Sequence, residues 1–156
     1  MNILITESQF KRLIENIIKE ETAEQWLQNK WNAQDFIYEL FPDQDMDNAY
    51  KKYFNDDFSE LYLYSINITN IPESIGNLSN LQTIYLSYNN LTTIPESIGN
   101  LSELQYLSLD NNNLTNIPES IGNLSNLQKL YLYDNNLNKQ EQLKIKKLLP
   151  KTEIYG

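Results

Sequence analysis

The sequence contains neither cysteine nor histidine among its 156 residues. These absences exclude disulfides, thiol and imidazole nucleophiles, and the usual ligands of zinc, haem and iron–sulfur clusters. Glycine is scarce, with four residues, and their positions form no glycine-rich phosphate loop. No recognisable pairing of a nucleophile with a base remains, so we expect a protein without a catalytic site, a cofactor or a metal.

Long apolar runs are also missing. The opening segment has three consecutive apolar residues, Ile3 to Ile5, before Glu7, whereas a secretory signal needs about 7–15 and a membrane helix about 20. We therefore expect no membrane partner. The lack of a signal and of cysteine favours an intracellular, cytoplasmic setting, although a secreted solenoid that needs no disulfide also fits.

Basic residues are few, because 12 Lys and Arg oppose 21 Asp and Glu and give a formal net charge of −9. Such an acidic protein repels phosphate backbones unless its cations are gathered on one face. Nucleic acid is therefore not an expected partner.

What the sequence does contain is an internal repeat of 23 residues. The string IPESIGN occurs at 71–77, 94–100 and 117–123. The apolar positions extend this register backwards into a degenerate first unit and forwards into a unit that changes character after Asn138. The four units are 55–77, 78–100, 101–123 and 124–146.

The spacing L-x-x-L-x-x-L-x-L-x-x-N-x-L, followed by I-P-x-x-I-G-N, resembles the leucine-rich repeat family over about 58–156. The 23-residue form resembles the class found in intracellular signalling scaffolds, plant repeat proteins and many bacterial and viral homologues. The resemblance implies an α/β fold, namely a short right-handed solenoid with parallel strands on its concave face. Both open ends of such a stack need covers, because each unit is stabilised by its neighbours.

The residues themselves predict the same architecture. Ile84 and Leu86 alternate with polar neighbours, which is typical of a short strand with one buried face. Asparagine recurs at the bend after the strand, where a buried amide satisfies backbone groups that have left the sheet. The predicted asparagine ladder comprises Asn89, Asn112 and Asn135. Proline then begins an outer 3₁₀ or α turn, and we expect a left-handed glycine to end it. These glycines are Gly76, Gly99 and Gly122.

Residues 139–156 predict a C-terminal cap. A helix stopped by Pro150 precedes an edge strand through Glu153–Tyr155. The helix is expected to bury Leu143, Ile145, Leu148 and Leu149. Its lysines are expected to form a solvated face, with an anion-binding or acidic-partner patch as the alternative. They are Lys144, Lys146, Lys147 and Lys151.

Residues 1–57 carry no repeat and instead predict a small helical domain. Capping boxes begin at Thr6 and Thr22, and an apolar stripe between 10 and 18 indicates an amphipathic helix. We predict about four helices, the third ending at Pro42 and the fourth running through 49–54. This domain either covers the first repeat or acts as an interaction domain of its own.

Two motif matches have simpler explanations. Residues 43–47 start like a calcium-binding EF-hand loop, but Asn48 replaces the glycine and Phe54 replaces the bidentate glutamate. Six N-x-S/T triplets resemble glycosylation acceptors, yet they fall at two fixed positions of the repeat, so the repetition itself produces them. They begin at Asn67, Asn77, Asn90, Asn100, Asn113 and Asn123.

The outward positions of the strands are rich in tyrosine, and seven of the 11 tyrosines fall there. Tyrosine provides large, stiff contact area at low entropic cost. Strand propensity explains its presence in a strand but not on the solvent side. The predicted partner-binding residues are Tyr62, Tyr64, Tyr85, Tyr88, Tyr106, Asp110, Lys129, Tyr131, Tyr133 and Asp134. The acidic residues, with Glu60 nearby, favour a partner that presents basic or amide groups.

The sequence therefore predicts a monomeric, non-enzymatic module that binds a protein or peptide through this face. The alternative is an adaptor or regulatory protein, in which residues 1–57 carry the specific activity and the repeats dock or solubilise it.

Overall fold

The computed structural model of the chain describes the backbone of residues 7–42 and 51–156 and the side chains of 22–42 and 51–156. The calcium-like segment 43–48 lies outside these residues. The helices are α1 (Glu7–Leu40) and α2 (Lys139–Leu148). The strands are β1 (Glu60–Tyr62), β2 (Thr83–Tyr85), β3 (Tyr106–Ser108), β4 (Lys129–Tyr131) and β5 (Glu153–Tyr155). Three 3₁₀ turns lie between the first four strands, at Glu73–Asn77, Glu96–Asn100 and Glu119–Asn123.

The five strands form one parallel sheet in the order β1-β2-β3-β4-β5. Leu61 pairs with Ile84 and Ile84 with Leu107, so the sheet advances by one repeat at each strand. Leu130 pairs with Ile154, which places the cap strand in the same register. The short parallel solenoid predicted from the repeat is confirmed.

The core runs as one continuous column through the stacked units. The alternating strand residues Ile84 and Leu86 are both completely buried, as is Leu91 beyond the bend. The residues equivalent to Ile84 and Leu86 are buried in all four units, which removes apolar surface from water along the full length of the stack. A single strip of aliphatic side chains therefore joins each repeat to the next.

The outer turns are 3₁₀ helices, as the proline positions predict, but the expected left-handed glycines are wrong. Positive φ is absent from Gly76, Gly99 and Gly122. A Cβ on Gly99 would lie 2.5 Å from the Ser120 carbonyl oxygen, and one on Gly76 would lie 2.7 Å from Ser97 Cβ. Glycine is required at these two positions because adjacent turns approach too closely to leave room for a side chain, and not because the backbone is left-handed.

Helix α1 is continuous over 34 residues, so the separate helices expected before Pro42 are wrong. Residues 7–40 contain neither glycine nor proline, and nothing stops a helix that has already formed. Thr22 therefore lies inside the helix instead of capping a new one. The end is as expected, because α1 stops at Leu40, two residues before Pro42. Of the fourth predicted helix, residues 51–53 are helical.

The C-terminal half of α1 lies against the first repeat. Ala33, Phe36 and Ile37 are completely buried and join the core of the repeats. Polar contacts flank them, because Asn32 Nδ2 donates to the Asn77 carbonyl at 2.8 Å. The separation of the chain into domains 1–57 and 58–156 stays a prediction.

The C-terminal helix α2 covers the last repeat with Ile145 and Leu149, which are buried. Asn138 caps its N-terminus by accepting hydrogen bonds from two backbone amides. The expected burial of Leu143 is wrong, since its side chain is 59% exposed. Leu143 precedes Ile145 by two positions, about 200° around the helix, and therefore faces solvent.

Lys144 also departs from the solvated face predicted for the cap. Its side chain is partly buried. Nζ donates to the Ile117 carbonyl at 2.9 Å and pairs with Glu141 at 2.5 Å. Glu141 in turn accepts from the Ile117 amide at 2.9 Å. This pair fastens α2 to the backbone of the preceding repeat.

Within the described ranges, no helix combines the length and apolar character needed to cross a membrane.

Candidate binding surface

A row of five tyrosines whose rings contact one another crosses the outward side of the sheet. The rings of Tyr62, Tyr85, Tyr106, Tyr131 and Tyr155 follow one another with centroid separations of 5.3, 5.4, 5.2 and 4.6 Å. These separations lie in the range where aromatic pairs attract one another. We call these five residues the tyrosine row.

Tyr106 fills a gap in this row. Strand register places Ser108, not a tyrosine, between Tyr85 and Tyr131. Tyr106 lies two residues earlier on β3, and its ring spans the distance to both neighbours. The row therefore stays continuous although the repeated position is interrupted.

Below this part of the row lies a small polar cluster. The Ser87 and Ser108 hydroxyls are hydrogen bonded to each other and lie 3.2 and 3.1 Å from Asp110 Oδ2. The Ser–Ser bond uses one hydroxyl hydrogen, and the other is donated to the carboxylate. Asp110 Oδ1 accepts from the Tyr133 amide at 3.2 Å. Asp110 thus holds the surface together, and both of its oxygens are already engaged.

Three further tyrosines project beside the row at the bend end of the strands. Tyr64 and Tyr88 form an edge-on pair with centroids 5.3 Å apart. These two and Tyr133 are each more than half exposed, at 56%, 53% and 52%. Together with the tyrosine row they form an eight-residue surface, which we call the tyrosine face.

A carboxylate engages the phenol at each end of the row. The Tyr62 hydroxyl donates to Glu60, and the Tyr155 hydroxyl donates to Glu153 at 2.7 Å. These hydrogen bonds, followed by desolvation, raise the pKa of both phenols to about 12. Burial, followed by the neighbouring tyrosines, raises the pKa of Tyr106. These three phenols are therefore protonated and uncharged at neutral pH.

The predicted ladder asparagines lie at the bend behind the tyrosine face. Asn112 Nδ2 donates to the carbonyls of Leu86 and Leu109 at 3.0 Å each. Its Oδ1 accepts from the Leu91 amide at 3.0 Å, so one side chain bonds to two successive units. Asn89 and Asn135 make the equivalent contacts. These bonds satisfy backbone groups that the short strands leave unpaired.

The residue before each ladder asparagine has a left-handed backbone, as does the equivalent residue of the first unit. The four residues are Ser65, Tyr88, Asn111 and Asp134, with φ of 54°, 58°, 53° and 53°. This conformation is uncommon without glycine and disfavoured for a bulky side chain such as that of Tyr88. The bend nevertheless repeats in every unit, and in the last three units the ladder asparagine that follows it bonds to the backbone carbonyl three residues earlier.

Tyr155 is the member of the row that the sequence prediction omitted. The predicted cap strand contained the necessary signal, because alternation with Ile154 places Tyr155 on the outward side. The other predicted residues lie where expected on this surface, with Lys129 and Asp134 both exposed. Ser87 and Ser108 were also absent from the predicted binding residues, because a small hydroxyl side chain in a strand does not by itself indicate a role at the surface.

The residues described by the structure include no group of three or more acidic residues placed to hold a metal ion. The surface offers ring edges, phenolic hydroxyls and carboxylates. These groups can make apolar contacts and hydrogen bonds and can attract cations.

Parallel strands that advance by one repeat, 3₁₀ turns on the opposite side and asparagines that bond to two successive units together define a leucine-rich repeat solenoid. The sequence profile described as "Leucine-rich repeat region" matches residues 60–151. The chain belongs to the leucine-rich repeat family.

Two solved structures have similar folds. A leucine-rich repeat protein of Leptospira interrogans shares 45% identity with a TM-score of 0.63, over 64% of this chain and 26% of that protein. An internalin of Listeria monocytogenes shares 21% identity with a TM-score of 0.50, over 69% of this chain and 31% of the internalin. The chain thus corresponds to less than a third of either protein. No curated protein gives a significant match.

Proposed function

We propose that the tyrosine face binds a short segment of another protein, without catalysis. Leucine-rich repeat proteins are typically non-enzymatic scaffolds for protein interaction, which supports the general class. The observation that carries the specific proposal is the unbroken row of five contacting tyrosine rings on the side of the sheet that faces away from the core.

Contact between neighbouring rings prepares these side chains for binding. Each inner ring of the row is held between two others, so little rotamer freedom remains to be lost when a ligand binds. The exposed edges and hydroxyls provide apolar contact and hydrogen bonds from the same side chain. Tyrosine surfaces of this kind are enriched among residues that dominate binding energy.

The size of the sheet limits the ligand. Five strands spaced about 4.8 Å apart, each taken with the bend that follows it as about five residues, cover roughly 24 by 17 Å, or about 400 Å². A standard interface uses about 800 Å² on each partner. An extended segment or a loop fits this area better than a flat protein surface does.

The test is to remove two rings of the row and measure binding. Peptides would be selected from a random-sequence display library, and their dissociation constants measured by fluorescence anisotropy. Tyr85→Ala with Tyr131→Ala should weaken binding about 30-fold or more, because two hot-spot residues are lost at more than 1 kcal/mol each. The far-ultraviolet circular dichroism of the variant should be unchanged.

The matched control removes two exposed aromatic residues elsewhere, Trp31→Ala with Tyr38→Ala on α1. Their side chains are 54% and 57% exposed, and we expect peptide binding to change less than twofold. Undiminished binding by the Tyr85 and Tyr131 variant would contradict the proposal.

A second candidate function rests on the same two α1 residues. Leu27, Trp31 and Tyr38 are exposed and lie within about 40° of one another around the helix. An exposed aromatic stripe is typical of an interaction site, which favours the adaptor alternative. If the control pair abolishes binding while the pair in the row does not, α1 carries the specific activity.

A further inference from the structure

The charges at the ends of the tyrosine row indicate which segment it would hold. We propose that the bound segment is extended and carries two basic side chains about six residues apart, one reaching Glu60 and the other Glu153. This inference rests on the proposed function, because it specifies the ligand of the same surface.

The charge on this surface is unbalanced. Around the tyrosine face lie the carboxylates of Glu60, Asp110, Asp134 and Glu153. Lys129 is the single cation among the described residues of the five strands and their outward bends. A ligand with positive charge therefore complements the surface, and one with negative charge is repelled.

The end carboxylates retain capacity to accept hydrogen bonds. Glu60 and Glu153 each accept one phenolic hydrogen, whereas a carboxylate offers about four lone-pair sites. Asp110 differs, since its Oδ2 accepts a hydrogen bond from the serine pair and its Oδ1 accepts one from a backbone amide. A guanidinium or ammonium group beside Tyr62 or Tyr155 would contact both a carboxylate and an aromatic ring.

The register of the sheet sets the distance between these two positions. Glu60 and Glu153 occupy the same position on β1 and β5, because each strand pairs in register with the next. Four steps of about 4.8 Å place them roughly 19 Å apart. An extended chain advances about 3.3 Å per residue, so six residues cover this distance, and an even number keeps both side chains on one face.

The two ends are not equivalent. Lys129 pairs in register with Glu153 and neutralises part of its field, while the neighbour of Glu60 is the uncharged Thr83. Glu60→Gln should therefore weaken binding more than Glu153→Gln does. Lys129→Gln should strengthen it, because a competing cation is removed.

The probe is a display library of twelve-residue peptides with two arginines at fixed spacings of two, four, six or eight positions and random residues elsewhere. We expect the spacing of six to be enriched. For the enriched peptides, Glu60→Gln with Glu153→Gln should raise the dissociation constant about three- to twentyfold, a range typical of two exposed ion pairs. The effect should decrease as salt is added.

The matched control is Glu96→Gln with Glu119→Gln. These exposed glutamates begin two 3₁₀ turns on the opposite side of the solenoid, so the net charge changes equally. Binding by this control should stay within twofold of the unmodified protein. Equal loss in both double variants would overturn the inference, because the attraction would then come from the overall charge of −9.

The remaining outcomes separate this inference from the proposed function. Peptides from an unconstrained library that need Tyr85 and Tyr131 but lack paired basic residues would overturn the inference and leave the proposed function intact. Enrichment that is independent of spacing would also overturn it. Failure to recover any peptide that depends on these tyrosines would overturn both.

Discussion

The repeats and helix α1 bury their apolar residues in different ways. An inner repeat is covered on both sides by copies of itself, and Leu107 on its central strand is completely buried. Helix α1 has one covered side, with Phe36 and Ile37 against the first repeat, while Trp31 and Tyr38 on the other side are exposed. The stability of each inner repeat therefore depends on packing against two neighbours, whereas that of α1 depends on packing along one side.

This difference explains why a local sequence pattern predicts the role of a residue more reliably in the repeats than in α1. A position in the repeat is supported by equivalent residues in adjacent units, so its role is fixed by the stack. A position in α1 has no such copy, and its role depends on where the helix happens to meet the rest of the protein. Substitutions in the two regions should therefore differ in size and in how far their effects spread.

The largest effect is expected where the two regions meet. Phe36→Ala removes a completely buried ring that lies edge-on to Phe54, with centroids 6.4 Å apart. The cavity should lower the free energy of unfolding by about 3–5 kcal/mol in urea titrations. Trp31→Ala, in the exposed side of the same helix, should change it by less than about 1 kcal/mol. An equally small change in both variants would mean that α1 does not contribute to the stability of the repeats.

The next effect concerns the close approach of the outer turns. Gly99→Ala places a Cβ 2.5 Å from a backbone oxygen of the next turn, and such overpacking should cost about 2–3 kcal/mol. The comparison is Gly122→Ala, whose Cβ would lie at ordinary contact distance from Leu148, with Cδ2 nearest at 3.4 Å. Its melting temperature should change little. If the two alanine variants melt at the same temperature, contact between adjacent turns is not what requires glycine at position 99.

The asparagine ladder should contribute somewhat less. Asn112→Ala leaves the buried Leu91 amide without its acceptor. The Leu86 and Leu109 carbonyls each lose one donor and keep the one supplied by Asn89 or Asn135. A buried polar group without a partner costs about 1–3 kcal/mol, so we expect a loss of about 2 kcal/mol and faster amide hydrogen exchange at Leu91. Asn113→Ala, at an exposed neighbouring position, should match the unmodified protein in both measurements.

The smallest effect is a stabilisation at the bend. Ser65 has φ of 54°, a conformation that asparagine adopts more readily than serine does. Ser65→Asn copies the residue found at this bend in the third unit, Asn111, and should raise stability by about 0.5 kcal/mol. The same change at exposed Ser79, which lacks a positive φ, should not. A destabilised Ser65→Asn would show that the bend is set by contacts other than its own backbone preference.

The fold of the repeats could be predicted because the period assigns each residue to a strand, bend or turn. The tyrosine row follows in part, since the period places Tyr62, Tyr85 and Tyr131 together. The use of Tyr106 in place of Ser108 depends on ring orientation, which a period does not determine.

Other features lie beyond local patterns. The close approach at Gly99 involves another turn in space, whereas its residue type alone suggests a left-handed terminator. Thr22 matches a capping box, but a helix already formed on both sides keeps it inside α1. In α2, the helical period itself favours solvent for Leu143, and hydrophobicity is the weaker guide at that position.

The in-register advance of one repeat per strand gives the molecule an adjustable length. Because each unit contacts only its neighbours, one more copy of the 23-residue sequence 78–100 would separate the two terminal carboxylates by about 4.8 Å more without altering either end. The distance between these carboxylates can thus change only in steps of one strand spacing. Duplication of a repeat in the gene, or deliberate insertion of one, would therefore lengthen the ligand segment that the surface can span, while the carboxylate and tyrosine at each end stay the same.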